Sequence, residues 1–271
     1  MYKLIAVDMD GTMLNDQHAL TPEVIQAVRE AKAASIKIVL CTGRPLPGIQ
    51  RYVDQLSLRE EGDYIAVFNG ALVQETFASR VVSQLDMVYE DVMELEHLSR
   101  ELPIAMHYFS EKHIYTPQKD IDKYTVLDAY LNSIPLRVRT LEEVGPSVAL
   151  PKVMFVGDKE HIDRTELLLP ENIKAKNEIM RSTPHFLEFL HPKASKGNAV
   201  MDLAARLGIA REEVMCIGDN GNDLSMIEAA GCGVAMGNAI PEIKAAADII
   251  TSTNNENGVA EAINNVLLHF R

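Results

Sequence analysis

At both ends of the chain, short and wholly apolar runs alternate with amphipathic stretches. No other feature restricts the fold as strongly. LIAV precedes TPEVIQAVREAKAAS, in which Thr21 suits an N-cap and Pro22 the first helical position. Val24, Ala27, Val28 and Ala31 then share one helical face. IKIVLC, a short helix around Ile49 to Leu56, and YIAVF continue the pattern, with Asn69-Gly70 as a turn. The last third resumes it. Ser195 caps a helix with Val200, Leu203, Ala204 and Leu207 on one face. VMCIGDNGND reads as a strand running into a polar loop, LSMIEAAG as a helix stopped by Gly231, and VAEAINNVLL as a terminal helix. Strands this apolar are buried on both faces, so the pattern predicts an α/β fold: a doubly wound, Rossmann-like parallel sheet with helices on both sides.

The middle follows a different pattern. YEDVMELEHLSREL reads as a helix, AMHYFSEKHIYT as two strands around a turn, and IMRSTPHFLEFL as a hairpin. A helix near Ile121 to Leu131, the strand LPKVMFVGD and the helix HIDRTELLLP lie between them. Hairpins imply a smaller antiparallel sheet. With 271 residues there is material for two moderate domains. The expected division is a core from residues 1–82 and 191–271, with an α+β insert over residues 83–190.

Composition narrows the partners. A net charge of −13 repels phosphate backbones and anionic bilayers, which argues against nucleic acid and membrane. A small anionic substrate needs a local cation to offset that field. Three scattered cysteines form no CxxC pair, which fits a reducing cytoplasm rather than a disulfide scaffold or zinc site. No basic-then-apolar leader opens the chain.

In an open parallel sheet, ligands gather outside the carboxyl ends of the strands. Here those ends carry Asp8, Thr42 and Asp219. Asp8 and Asp10, two residues apart, can point the same way from an extended backbone before Gly11 turns it. Either alone reads as a loop or capping carboxylate. Together they suit a nucleophile beside a general acid/base, the pair needed to make and break an aspartyl-phosphate. Two carboxylates facing a phosphate demand a cation. Mg²⁺ takes oxygen ligands, and GDNGND would add Asp219 and Asp223, unless that stretch is only a polar turn. Thr42-Gly43 could offer a hydroxyl and N–H groups to an anion, though such pairs are also common turns. Lys196 opens a helix, an unfavourable place for a cation. It is either a surface lysine or a charge reaching over the site. His107, His113, Tyr115 and His185 in the insert could contact substrate, but ordinary packing is the simpler expectation for each.

Taken together, DMDGT, TGR, SKG and GDNGND, in that order around a large insert, resemble the four motifs of the haloacid dehalogenase (HAD) superfamily, and in particular its Cof-type sugar phosphatases. The resemblance spans nearly the whole chain. It implies a Mg²⁺-dependent phosphatase acting on small phosphomonoesters, sugar phosphates above all. Asp8 would be nucleophile and metal ligand. Asp10 would be acid/base, its carbonyl also binding metal. Asp219 would be the remaining protein ligand, with Asp223 acting mainly through water. Met9, Thr42, Gly43, Lys196 and Asn222 would hold or frame the phosphate, and the insert would be a cap that selects substrate. Two other readings share much of this set. A phosphomutase of the same superfamily returns the phosphoryl group to a sugar. A phosphoryl-receiving signalling module has no use for Asp10, which hastens hydrolysis. Nothing in the insert marks one substrate, and nothing in the chain sets an oligomeric state.

Overall fold

A computed structural model describes residues 1–268. Among these residues the chain opens with β1 (Leu4–Asp8), α1 (Pro22–Ala33), β2 (Lys37–Cys41), α2 (Leu46–Gln55), β3 (Tyr64–Val67), β4 (Leu72–Glu75) and β5 (Arg80–Gln84). The middle holds α3 (Tyr89–Glu101), β6 (Ala105–Phe109), β7 (Ile114–Thr116), α4 (Lys123–Leu131), β8 (Leu136–Val138) and α5 (Leu141–Val144). It continues through β9 (Lys152–Val156), α6 (Lys159–Leu167), α7 (Glu171–Lys176), β10 (Glu178–Thr183) and β11 (Phe186–Leu190). The chain ends with α8 (Lys196–Arg206), β12 (Val214–Gly218), α9 (Leu224–Ala229), β13 (Cys232–Ala235), α10 (Pro241–Ala246), β14 (Ile249–Ile250) and α11 (Gly258–Leu268).

The terminal thirds build one sheet in the order β14-β13-β12-β1-β2-β3-β4-β5. β1 lies parallel between β12 and β2, with Val7 opposite Ile217 and Asp8 opposite Cys41. Leu4, Ile5, Ala6 and Val7 are wholly buried, as a strand covered on both faces must be. Each large aliphatic side chain so placed stabilises the fold by roughly 1.5–3 kcal/mol. α1 packs beside α11 and α8 beside α9, one layer on each face. α1 begins as its sequence demands: the Val24 N–H donates to Thr21 Oγ1 at 3.3 Å, and Val24, Ala27, Val28 and Ala31 are its buried face. The chain leaves β1 for β2 on one side and returns to β12 on the other. The strand order therefore reverses at the end of β1, where such sheets bind ligands.

The sheet is not wholly parallel. β4 runs antiparallel to β3, and β5 extends the edge beyond it. Sequence patterning assigns no element there, because β4 buries Gln74 and Glu75 rather than an apolar run. Glu75 is held there by two donors, the Gly62 N–H and the Arg80 guanidinium.

Two compact units result. One comprises Met1–Gly43, Gln50–Ser83 and the chain from Ser195 onward; the other comprises Gln84–Ala194 together with Arg44–Ile49. The second has its own sheet, in the order β10-β11-β9-β6-β7-β8, antiparallel except for the β7–β8 pair. Met106, Tyr108, Val153, Phe155, Leu187 and Phe189 from one face of this sheet form a core with Val92 and Leu95 of α3 and Ile162 of α6.

Candidate active site

β1 delivers Asp8 to the sheet edge as its last residue. Its neighbours in register place Thr42 just beyond β2 and Asp219 just beyond β12. These two and Asp8 therefore converge although up to 211 positions separate them in the sequence. The chain then turns sharply. Gly11 has φ +81°, and a Cβ there would stand 2.6 Å from Asp219 Oδ2. The turn lets Thr12 Oγ1 donate to Asp219 Oδ1 at 2.6 Å, while the Met13 N–H donates to the Asp8 carbonyl at 3.2 Å. Met9 is buried, and its carbonyl accepts from the Leu14 N–H at 2.9 Å.

Lys196 enters from α8. Ser195 caps that helix, accepting from the Asn198 N–H at 3.1 Å. The Gly197 N–H donates to Ser225 Oγ at 3.1 Å, and a Cβ at Gly197 would lie 2.3 Å from the Ser225 carbonyl oxygen. The start of α8 is thus held close against α9. This directs the Lys196 side chain inward, where it is completely buried. Its Nζ donates to Asp8 Oδ1 at 2.5 Å and to Asp223 Oδ1 at 2.6 Å. The other oxygen of Asp223 accepts the N–H groups of Asp219 at 2.9 Å and Asn220 at 3.0 Å. The GDNGND loop therefore folds around its own last carboxylate. Both Asp223 oxygens are engaged by protein groups.

Asp8, Asp219 and Asp223 each offer an oxygen, all within 4.8 Å of one another. Burial pushes the Asp8 carboxyl upward, the Asp223 charge adds to this, and Lys196 opposes it. Burial also raises Asp219, to about 6; the Thr12 hydrogen bond works against that shift and Asp223 works with it. For Lys196, burial alone would favour the neutral amine. The Asp223 and Asp8 charges outweigh it and hold the ammonium well above its ordinary range. Fully ionised, three carboxylates and one ammonium leave an uncompensated charge of two. A divalent cation matches it, and an all-oxygen donor set suits a hard one. The buried Cys41 lies outside this group of oxygen donors.

Asp10 stands apart from this group. Its carboxylate is 41% exposed and lies 3.4 Å from His18 Nδ1. Asn222 Nδ2 donates to Asn69 Oδ1 at 3.0 Å. Asn69 in turn ties two loops together. Its N–H donates to the Thr42 carbonyl at 2.9 Å, and its carboxamide lies where a Cβ at Gly43 would meet it at 3.1 Å. Asn69 is buried at φ 52°, ψ 34°, directly after Phe68 at φ 52°. Left-handed backbone at a bulky aromatic is costly and persists only where its surroundings impose it. Thr12, Asn69 and Ser225 were not singled out by sequence. Thr12 sits inside DMDGT, so its signal was present; Asn69 was masked by the ordinary Asn-Gly turn.

Comparison with known proteins follows the same lines. A family profile described as haloacid dehalogenase-like hydrolase matches residues 5–263. A Bacillus subtilis protein named "Putative phosphatase YxeH" is 54% identical over 268 residues, covering 99% of each chain. The structure of a haloacid dehalogenase-like hydrolase from Bacteroides thetaiotaomicron superposes with a TM-score of 0.89 at 33% identity, over 98% of this chain and all of the other. That of a HAD subclass IIB sugar phosphatase superposes at 0.80 with 26% identity, over 97% of this chain and 98% of the other.

Proposed function

The chain belongs to the haloacid dehalogenase-like hydrolase family, and on that footing we propose that it hydrolyses small phosphomonoesters, with sugar phosphates as the preferred class, through an aspartyl-phosphate on Asp8. The observation that carries this reading is the position of Asp8, at the carboxyl end of the central strand with Lys196 at 2.5 Å. Relatives named as phosphatases and a similarly folded sugar phosphatase support the substrate class.

In this reading Asp8 attacks phosphorus. Lys196 favours the ionised form of the nucleophile, aims it, and offsets charge on the transferring group. Thr42, the N–H groups of Met9 and Gly43, and Asn222 hold the phosphate oxygens. Asp10, outside the Lys196 cluster and partly open to solvent, carries a proton to the leaving oxygen and later takes one from water. Bound Mg²⁺, held by Asp8, Asp219 and the Asp10 carbonyl, would supply positive charge against the phosphoryl oxygens. Substrate choice is assigned to the inserted residues 83–190.

A phosphate-release panel tests the reading directly. Sugar phosphates, nucleotides, and flavin and pyridoxal phosphates are assayed with Mg²⁺ and again with chelator. Release is expected to be fastest from a sugar phosphate and lost with chelator. No inorganic phosphate from any of them removes the proposal. Isomerised sugar phosphate without release would mark a mutase instead.

The metal has a second, activity-free signature. Asp219 titrates higher in the folded apo protein than in the unfolded chain. Its contribution to stability is therefore greatest below its ordinary range and is lost as pH rises toward about 6. A cation needs the deprotonated carboxylates. The rise in Tm caused by Mg²⁺ should therefore be small in acid and grow as pH passes about 6. An increment that is flat with pH would show that Asp219 takes no part in binding.

A further inference from the structure

Helix α4 is amphipathic the wrong way round. Asp122 caps it, accepting from the Tyr124 N–H at 2.8 Å. Its inward face is polar and small: Thr125, Asp128, Ala129 and the adjoining Asn132 are buried. His107 of β6, fully buried, clasps that face. Its Nε2 lies 2.9 Å from Asp128 Oδ2 and its Nδ1 3.1 Å from Thr125 Oγ1. Asn132 Nδ2 donates to the other Asp128 oxygen at 2.7 Å. The clasp engages Thr125, Asp128 and the Asn132 amide N–H on the inner face, and the apolar side chains are left outside.

Outward, Val126 is 50% exposed, Leu127 42%, Tyr130 80% and Leu131 55%, with Ile121 at 38% just before the helix. The spacing is i, i+1, i+4, i+5, one continuous stripe. A helix that needed no partner would carry its Asp and Thr outside and its leucines within.

We propose that this stripe is the contact between two copies of the chain, packed about a twofold axis with their α4 helices antiparallel. Three observations carry it. The stripe is self-complementary: an antiparallel pair about a centre between Leu127 and Tyr130 sets Leu127 against the other copy's Tyr130, and Val126 against its Leu131. The exposed parts of these side chains amount to roughly 500 Å² per copy, at the upper end of what a lone soluble domain leaves uncovered. With every exposed part covered, two copies reach at most about 1,000 Å², the lower bound of a specific interface.

Charge points the same way. Two chains of net charge −13 repel, so a self-contact must lie where carboxylates are absent or already paired. Along α4 Asp128 is turned inward and Lys123 pairs with Asp158 within one chain at 2.9 Å, while the exposed Asp120 lies beside Ile121 at the far end of the stripe, away from the twofold centre. The proposal is independent of the phosphatase reading.

Sedimentation equilibrium of the full chain over a rising micromolar series tests it. The weight-average mass of the wild-type protein is expected to climb toward twice the chain mass. Tyr130→Glu and Leu131→Glu, which touch only outward side chains, should hold it at the single-chain value, with association weakened at least about tenfold. Their thermal midpoints should match wild type, which guards against misfolding. Tyr130→Phe, which keeps the apolar ring, should still dimerise. A wild-type protein that stays at single-chain mass overturns the proposal, whatever other protein the stripe may be found to bind. A dimer that survives both glutamates also overturns it, because it must use another surface.

Discussion

Asp8→Asn leaves a folded protein with essentially no turnover. The amide is isosteric, so Lys196 Nζ still has an oxygen to donate to, and the backbone bond from Met13 to residue 8 is untouched. What is lost is the nucleophile. Removing an attacking side chain lowers kcat by roughly 10⁴-fold or more in enzymes that work through covalent intermediates. The stability change runs the other way. Burial and the Asp223 charge push the Asp8 carboxyl upward, which means that the ionised form is costly in the apo protein at neutral pH. Replacing it with a neutral amide removes that cost, so without metal the variant should melt at or above the wild-type temperature. Its Mg²⁺-induced rise in Tm should shrink. Phosphate release assayed beside thermal melts checks both halves. Near wild-type turnover would mean that another group attacks phosphorus. A large drop in the apo melting temperature would mean that Asp8 is a structural carboxylate.

Much of this arrangement can be read along the chain because strand ends are easy to find. LIAV, IVLC and VMCIG are apolar without interruption, so the polar residues that follow each must sit at a sheet edge. The topology rule then brings Asp8, Thr42 and Asp219 together. Where patterning fails, a tertiary partner has overridden a local preference. Lys196 is the plainest case. The first position of a helix repels a cation, and a lysine there would ordinarily lie at the surface. It is buried because two carboxylates, 188 positions before it and 27 after it, meet its ammonium. β4 escapes a periodicity search because Glu75 is buried through bonds to Gly62 and Arg80, not through apolar contact. α4 can be read as a helix, but its periodicity alone would turn Leu127 and Leu131 inward. Only the His107 clasp, from a strand some twenty positions earlier, reverses the face. Asn69 illustrates a third kind of failure: a residue common in turns is also the one that tolerates left-handed backbone, so its bridge to Asn222 leaves no separate mark in the sequence.

Lys196→Met should damage stability and activity together, and that coupling separates it from a catalytic lysine on the surface. Methionine keeps most of the volume and removes the charge. Asp8 and Asp223 then remain buried and facing each other with no cation between them. Breaking a buried pair from one side typically costs about 3–5 kcal/mol, whereas exposed lysines rarely shift stability by more than about 0.5 kcal/mol. The denaturation midpoint of the apo protein should fall accordingly, and Mg²⁺ should restore part of the loss by supplying the missing positive charge. Turnover should drop on the order of 10²–10³-fold, the range seen when one charge-stabilising donor is removed from a reacting centre. A second substitution sharpens the argument. Adding Asp223→Asn to Lys196→Met removes one of the two stranded carboxylates, so the double variant should be more stable than the lysine variant alone. That non-additivity is the signature of residues in direct contact. Activity should not return with stability, because the ammonium that aims Asp8 is still absent. If the two losses instead simply add, the Lys196–Asp223 bond contributes nothing to the fold. If stability and turnover recover together, Lys196 is needed only to hold the structure, and Asp8 does not depend on it for attack.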